Sequence, residues 1–266
     1  MPLATANDGT RLFWREEGEG APLLLIQGFG YASDMWYRIV PRLAERHRVL
    51  LLDNRGIGKS EAPPGPYSLP MMADDAVALL DAAGVDRAHV FGISMGGMIA
   101  QELALRNPAR VQSLVLGCTH CGGAQAVAAE PAAIAALMAR VSMPPEEGAR
   151  HMIPFVYDET TPRERIDEDV AVRMRCYPAT ASSEAQAAGI FSWSGTHARL
   201  SSIAMPTLVL HGETDRLVPA ENARVLADAI PGAKLVVLPR ASHVFWTDQP
   251  EATVETLLDF LGHNTP

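Results

Sequence analysis

The sequence predicts an α/β fold: a mostly parallel central sheet with helices on both faces and an inserted helical segment. Six short runs of Leu, Val and Ile recur along the chain, and each is apolar on both faces, as buried parallel strands are. Helical stretches lie between these runs, which favours right-handed strand–helix–strand units. The alternation stops near residue 122 and resumes near residue 200, which indicates an insertion.

The strand runs and helical stretches follow one another in order along the chain. Gly84 and Gly232 stand where helices should end, and Pro108 follows the end of another helix. The predicted strands are residues 22–27, 48–53, 88–93, 113–117, 206–211 and 234–238. The predicted helices are residues 69–84, 95–108, 220–232 and 250–262.

Residues 122–199 are rich in Ala, Glu and Arg and contain helical patterns such as PAAIAALMARV, with no convincing strand. Strand patterns flank this segment on both sides, so we interpret it as an insertion and not as a separate domain. We therefore predict a core formed by residues 1–121 and 200–266, with a helical insertion formed by residues 122–199.

The net charge and the hydropathy pattern argue against nucleic acid and membrane as binding partners. The 266 residues carry a formal net charge of −9, whereas a nucleic-acid surface needs clustered Lys and Arg. No apolar run approaches the ~18 residues of a membrane-spanning helix, and the first residues, MPLATANDGT, lack the basic start and apolar centre of a signal peptide. We expect a soluble, cytoplasmic protein that binds neither nucleic acid nor membrane. The sequence predicts no particular oligomeric state.

The three cysteines, Cys118, Cys121 and Cys176, do not make a disulfide framework in a chain of this length. Cys118 and Cys121 have the C-x-x-C spacing of a redox pair or of half a zinc site. No second C-x-x-C or H-x₃-H pattern follows, and Gly122 stands where a haem-attachment motif has histidine. We therefore predict two ordinary thiols, no metal and no cofactor.

The stretch DNRGIGKS, residues 53–60, ends as a nucleotide-binding P-loop ends. A P-loop also needs a glycine five positions before the glycine of Gly-Lys-Ser, so that backbone N–H groups can wrap the phosphates. Asp53 occupies that position and would direct a negative charge at a polyanion. The sequence therefore does not predict a phosphate site here.

Ser94 stands at the centre of a G-x-S-x-G pattern, directly after a predicted strand and at the start of a predicted helix. A serine on such a sharp turn presents its hydroxyl at the carboxyl edge of the sheet, with a helix N-terminus directed at developing negative charge. The small residues Gly92, Gly96 and Gly97 suit a crowded turn. This context predicts Ser94 as a nucleophile.

A serine nucleophile needs a base to remove its proton and an acid to orient that base. His243 lies in the loop after the last predicted strand and is the predicted base. Asp215 follows the predicted strand 206–211 and is the predicted acid, with Glu213 as its rival.

These motifs resemble the α/β-hydrolase superfamily over almost the whole chain. The order serine, aspartate, histidine is the order of that superfamily. The resemblance implies an α/β-hydrolase fold in which residues 122–199 form a cap, and it implies that residues 53–60 brace loops near the site. The stretches that carry it are LLLIQGFG (23–30), DNRGIGKS (53–60), GISMGG (92–97), PTLVLHGETDRLVP (206–219) and ASH (241–243).

The resemblance also implies an oxyanion hole made of two backbone N–H groups. One belongs to Met95, which follows the predicted nucleophile, and the other to Phe29, in the loop after the first core strand. Family members usually carry His-Gly in that loop, where this chain has Gln27-Gly28. Glutamine can still donate and accept hydrogen bonds.

The implied reaction is hydrolysis of a small carboxylic ester or lactone, as in the carboxylesterase and enol-lactonase branch. Gln27, His120, Trp193 and Trp246 are the predicted substrate-binding residues. Carbon–carbon bond hydrolases and cofactor-free haloperoxidases or perhydrolases carry the same triad, so both alternatives stay open. A small-molecule receptor with this fold is the alternative that is not an enzyme.

Overall fold

The computed structural model describes residues 2–265 and confirms the predicted α/β class. One sheet of eight strands forms the centre, in the order β1-β2-β4-β3-β5-β6-β7-β8. The strands are β1 (Leu3–Thr5), β2 (Arg11–Glu17), β3 (Ala21–Ile26), β4 (His47–Leu52), β5 (Ala88–Ile93), β6 (Val111–Gly117), β7 (Thr207–Gly212) and β8 (Lys234–Leu238).

Strands β3 to β8 pair in parallel, whereas β2 pairs antiparallel with both β1 and β4. The six predicted strands correspond to the six parallel ones. Strands β1 and β2 were not predicted. Strand β2 has the sequence RLFWREE, in which three buried residues are flanked by charged, more exposed residues. A half-exposed antiparallel strand lacks the continuous apolar run of a buried parallel strand.

Helices flank the sheet on both faces. The helices are α1 (Val40–Leu43), α2 (Leu69–Ala82), α3 (Met95–Arg106), α4 (Pro131–Ala139), α5 (Pro145–His151), α6 (Ile153–Val156), α7 (Arg163–Met174), α8 (Thr180–Phe191), α9 (Glu221–Ala229), α10 (Phe245–Asp248) and α11 (Pro250–Gly262). The predicted helices 95–108 and 220–232 are therefore shorter than expected, since Pro108 begins a 3-10 turn and Ile230 is already extended.

The core consists of two apolar layers, one on each face of the sheet. Successive residues of a strand point to opposite faces, so Leu24 packs with α2 and α3 in one layer while Leu25 packs with α1 and α11 in the other. Both leucines are completely buried. Burial on both faces explains why the parallel strands are apolar throughout.

Helices α4 to α8 lie between β6 and β7, inside the segment predicted as a helical insertion. We call these helices and their connections the α4–α8 segment. Between β6 and β7 the described residues form no strand, in agreement with the prediction. The boundaries 122 and 199, and the role of the segment as a cap, stay predictions. No helix within residues 2–265 is both long and apolar enough to cross a membrane.

Candidate active site

Ser94 lies at the sharp turn between β5 and α3. Its backbone has φ 52° and ψ −123°, a left-handed conformation that is unfavourable for any residue with a side chain. On both sides of this turn, segments of backbone approach one another closely. A Cβ atom on Gly92 would lie 2.1 Å from the carbonyl oxygen of Gly96, and one on Gly96 would lie 2.2 Å from that of Ile26. The glycines predicted for a crowded turn are therefore required by packing.

The backbone of Ser94 is held from several directions. Its N–H donates to the Gly117 carbonyl at 2.9 Å. Its carbonyl accepts from the Thr119 hydroxyl at 2.7 Å and from the Gly97 N–H at 2.9 Å. These bonds fix the turn to the end of β6, so the unfavourable φ is maintained by the surrounding structure.

His243 and Asp215 lie together in the loops that follow β8 and β7. The distance from His243 Nδ1 to Asp215 Oδ2 is 2.7 Å, and both residues are buried. Asp215 Oδ1 accepts the N–H groups of Leu217 at 2.9 Å and Val218 at 2.8 Å. The carboxylate is thus oriented on one side by the backbone and presents its other oxygen to the imidazole.

Asp215 is ionised over the whole physiological range. Burial alone would raise its pKa, but the electrostatic interaction with His243 and hydrogen bonds from His211 and His243 outweigh burial and lower the pKa to about 2. A carboxylate only accepts hydrogen bonds, so the proton on His243 occupies Nδ1 and leaves Nε2 free as a base. Glu213, the rival acid, is exposed and lies outside this contact.

Ser94 and His243 line one cavity at the carboxyl edge of the sheet. Its volume is about 260 Å³. The sheet side contributes Gln27, Phe29 and Met95, and the α4–α8 segment contributes mostly apolar side chains such as Leu137 and Ile190. The fold thus brings the predicted nucleophile and base to the same cavity, and Asp215 lies directly behind His243.

The loop after β3 lies against Ser94, at the residues for which the oxyanion hole is predicted. A Cβ atom on Gly28 would be 3.0 Å from Ser94 Cβ, so a larger residue there would push against Ser94. Gln27 is fully buried, and its Oε1 accepts the Gly28 N–H at 3.2 Å. Among the described residues, Gln27 Nε2 has no hydrogen-bond partner. Met95 is the first residue of α3, where backbone N–H groups lack partners within the helix.

Comparison with known proteins identifies the family. The family model described as alpha/beta hydrolase fold matches residues 21–148 and 176–249 of the sequence. The chain belongs to the α/β-hydrolase fold family.

Relatives of this chain carry names that describe different enzyme activities. A protein of Azorhizobium caulinodans named “Putative carbamate hydrolase RutD” is 34% identical, over 98% of each chain. A pimeloyl-[acyl-carrier protein] methyl ester esterase of Aeromonas hydrophila subsp. hydrophila is 31% identical, over 92% of this chain and 97% of its own. The crystal structure of the enol-lactonase from Burkholderia xenovorans LB400 matches this structure with a TM-score of 0.85, over 98% of this chain and 100% of that one. The two sequences are 28% identical.

The stretch DNRGIGKS forms a braced loop in this α/β-hydrolase. Asp53 accepts the backbone N–H groups of Ser33 at 2.8 Å and Lys59 at 3.0 Å, so it ties two loops together. Arg55 pairs with Asp75 at 2.6 Å in the core. The charged side chains of Asp53 and Arg55 therefore both have partners within the protein, which agrees with a structural role for this stretch.

Three of the four predicted substrate-binding residues line the cavity: Gln27, His120 and Trp246. Trp193 instead packs behind His120, with ring centroids 6.4 Å apart, and its indole N–H donates to Glu102 at 2.8 Å. A tryptophan has one polar atom to satisfy, and here a carboxylate on α3 provides the acceptor.

His120 presents a neutral ring to the cavity. Its Nδ1 accepts the Gly122 N–H at 3.0 Å, which places the proton of the neutral ring on Nε2. Burial, followed by the charge of His243, lowers the pKa of His120 to about 4. His120 therefore offers a neutral hydrogen-bond donor at physiological pH.

Two residues that the sequence analysis did not assign to the site also lie in it or beside it. His211 Nε2 lies 2.8 Å from the Val218 carbonyl and 3.4 Å from Asp215 Oδ2, so it supports the loop that holds the acid. Arg140, in the α4–α8 segment, lines the cavity and gave no signal in the sequence.

The two C-x-x-C cysteines are free thiols. Cys118 follows β6 and is fully buried, which raises its pKa and keeps the thiol neutral. Within residues 2–265, no group of three or more His, Cys, Asp or Glu side chains is arranged to hold a metal ion.

Proposed function

We propose that the protein is a serine hydrolase that cleaves small carboxylic esters or lactones through Ser94, His243 and Asp215. One observation carries the proposal. Ser94, on a strained turn at the start of a helix, opens into the same cavity as a histidine whose Nδ1 is 2.7 Å from a buried, ionised aspartate. This combination suits nucleophilic catalysis by a serine.

In the proposed mechanism, His243 Nε2 takes the proton of the Ser94 hydroxyl as its oxygen attacks the substrate carbonyl. The imidazolium that forms is stabilised by Asp215, and it then protonates the leaving alcohol. Water attacks the resulting acyl-enzyme by the same route and releases the acid.

The oxyanion of each tetrahedral intermediate is proposed to bind the N–H groups of Phe29 and Met95. Both residues line the cavity, and Met95 begins the 12-residue helix α3, whose dipole also favours negative charge. Removal of one such donor typically costs about a hundredfold in rate. The α4–α8 segment is proposed to act as the cap that excludes water from this space.

The names of the relatives set the range of substrates to test. They describe a carbamate hydrolase, a methyl ester esterase and an enol-lactonase. All three names denote cleavage at an acyl carbon that carries a heteroatom, which the proposed triad can attack. A cavity of about 260 Å³ favours small substrates over large ones.

A fluorophosphonate probe tests the proposed nucleophile. The probe should modify the tryptic peptide 88–106, in which Ser94 is the single serine. Ser94→Ala should abolish the modification, whereas Ser202→Ala, at an exposed serine, should leave it unchanged. Modification of any other peptide would overturn the mechanism.

Turnover of a panel of p-nitrophenyl esters, methyl esters, lactones and carbamates then separates the possible activities. A burst of p-nitrophenol equal to one equivalent of enzyme would indicate an acyl-enzyme. A single slow turnover with a tightly retained product would favour a receptor. Cleavage of carbon–carbon bonds in preference to all esters would contradict the proposed reaction.

A further inference from the structure

Arg140 lies in the wall of the cavity that contains Ser94 and His243. It begins the short 3-10 turn after α4, and only 8% of the residue is exposed. Its guanidinium carbon is 5.0 Å from the centre of the Phe29 ring, a cation–π contact on the loop of the proposed oxyanion hole. A buried positive charge therefore borders the space where a substrate would lie.

This charge lacks an anionic partner in the protein. Among residues 2–265, no carboxylate oxygen lies within 4.0 Å of the Arg140 guanidinium, and no acceptor receives a hydrogen bond from it. Two other arginines with little exposure are paired with carboxylates: Arg55 with Asp75 at 2.6 Å and Arg38 with Asp169 at 3.1 Å. Arg140 differs from them in facing a cavity.

A second buried arginine adds to the positive potential. Arg173 is 6% exposed, donates to the Tyr31 hydroxyl at 3.0 Å, and lies 4.3 Å from the centre of the Tyr31 ring. Burial, followed by the like charge of Arg173, lowers the pKa of Arg140 to about 10, so Arg140 stays protonated at neutral pH. A buried charge without a partner is unfavourable, and an anion in the cavity would relieve that cost.

We propose that Arg140 binds a carboxylate of the substrate, so that the preferred substrate is an ester or lactone bearing a carboxylate a few bonds from the scissile carbonyl. The inference rests on the proposed function, because Ser94 defines where that carbonyl lies. The planar guanidinium matches the geometry of a carboxylate. Apolar residues of the same cavity, including Met98, Leu137 and Ile190, would contact the methylene chain between the two groups.

Paired substrates test this inference. Monomethyl glutarate and methyl 5-methylhexanoate have the same shape, but the first carries a carboxylate where the second has an isopropyl group. The kcat/KM of the wild-type protein should be at least tenfold higher for the half-ester. In Arg140→Gln the ratio of the two kcat/KM values should fall about 10- to 100-fold, as expected for loss of a hydrogen-bonded charge.

Two further variants serve as controls. Arg140→Lys keeps the charge but loses the planar fork, so its ratio should lie between those of the wild type and Arg140→Gln. Arg163→Gln removes an exposed arginine of the same α4–α8 segment and should keep the wild-type ratio. An equal preference for both substrates in the wild type, or an unchanged ratio in Arg140→Gln, would overturn the inference. A higher kcat/KM for a methyl ester with a terminal phosphate would assign the site to phosphate and overturn the carboxylate assignment.

Binding without turnover separates this inference from the proposed function. Glutarate should bind the Ser94→Ala protein in calorimetry, and the double variant with Arg140→Gln should bind it at least tenfold more weakly. If Ser94 escapes the fluorophosphonate probe and no ester is cleaved, the proposed function fails, and glutarate binding still decides whether Arg140 holds a carboxylate. Equal binding by both variants would overturn the anion site alone.

Discussion

The two walls of the cavity are built differently. On the sheet wall, Asp215 is fixed by two backbone N–H groups and by His243, and Ser94 is held at a strained turn by bonds through its backbone. On the wall formed by the α4–α8 segment, side chains are mainly apolar and several are open to solvent. Ile134 is 45% and Phe191 75% exposed, yet both line the cavity.

We infer from this difference that the sheet wall carries out the proposed reaction and that the helical wall recognises the substrate. Attack on a carbonyl requires atoms placed within about half an ångström, which the packed edge of a sheet can provide. Apolar contact with a substrate tolerates much more variation. Changes on the sheet wall should therefore lower kcat, whereas changes on the helical wall should alter KM and substrate preference.

The largest effect is expected for Asp215→Asn. An asparagine would favour the wrong tautomer of His243, so kcat should fall about 10⁴-fold while the fold is retained. Steady-state kinetics together with circular dichroism measure both quantities. Glu213→Gln, at the exposed acid two residues earlier, is the matched control and should keep kcat within about twofold. An equal loss in both variants would contradict the assignment of the acid.

A second prediction concerns Asp248, which connects the two walls. Its carboxylate accepts the N–H of Ser242, next to His243, at 2.6 Å, and the hydroxyl of Thr161, in the α4–α8 segment, at 2.6 Å. Burial raises the pKa of Asp248 from 3.8 to about 6. The native state thus binds more protons than the unfolded state between these values, so stability falls as pH rises from about 4 to 6, by roughly 3 kcal/mol from this group.

Asp248→Asn should remove that dependence. The asparagine oxygen can accept the backbone N–H groups and its amide can donate to the Thr161 hydroxyl, so the site keeps its contacts. Urea unfolding at pH 4, 5 and 6 measures the difference in slope between variant and wild type. Asp228→Asn, at an exposed aspartate, should behave as the wild type. A parallel pH dependence in Asp248→Asn would show that another group is responsible.

A third prediction tests the packing of the turn. A Cβ atom on Gly96 would lie 2.2 Å from the Ile26 carbonyl, which belongs to a central strand and cannot move aside. Gly96→Ala should reduce the free energy of unfolding by about 1–3 kcal/mol and displace Ser94. Gly262→Ala is the matched control, since no atom beyond the adjacent residues and backbone of its own helix lies within 4 Å of its Cβ position. Equal stability of the two variants would show that the turn tolerates a methyl group.

The sheet wall was largely predictable from the sequence because its determinants are local. Strand ends, the glycines around Ser94 and the short distances in sequence from β7 to Asp215 and from β8 to His243 all lie within single stretches of chain. Parallel strands bring such ends to one edge. The order of the strands along the chain therefore suffices to predict that these residues lie at the same edge, and the packing need not be known.

The helical wall was not predictable to the same degree, because its features depend on tertiary packing. Arg140 has the sequence context of an ordinary arginine at a helix end, and only the fold leaves it buried beside Phe29. Trp193 was expected in the substrate site, but the acceptor for its N–H lies on α3, at Glu102, a position far away in sequence. Neither outcome follows from periodicity or composition.

The smallest effect is expected at the exposed end of the helical wall. Phe191 is 75% exposed while lining the cavity, so Phe191→Ser should change the free energy of unfolding by less than about 0.5 kcal/mol. Loss of its apolar contact should raise KM for hexanoate esters roughly two- to fivefold, with less effect on acetate esters and with kcat retained. Met138→Ser, at a 58% exposed residue of the same segment, is the control and should leave both KM values unchanged. A fall in kcat for Phe191→Ser as large as that for a sheet-wall variant would mean that the two walls do not divide chemistry from recognition.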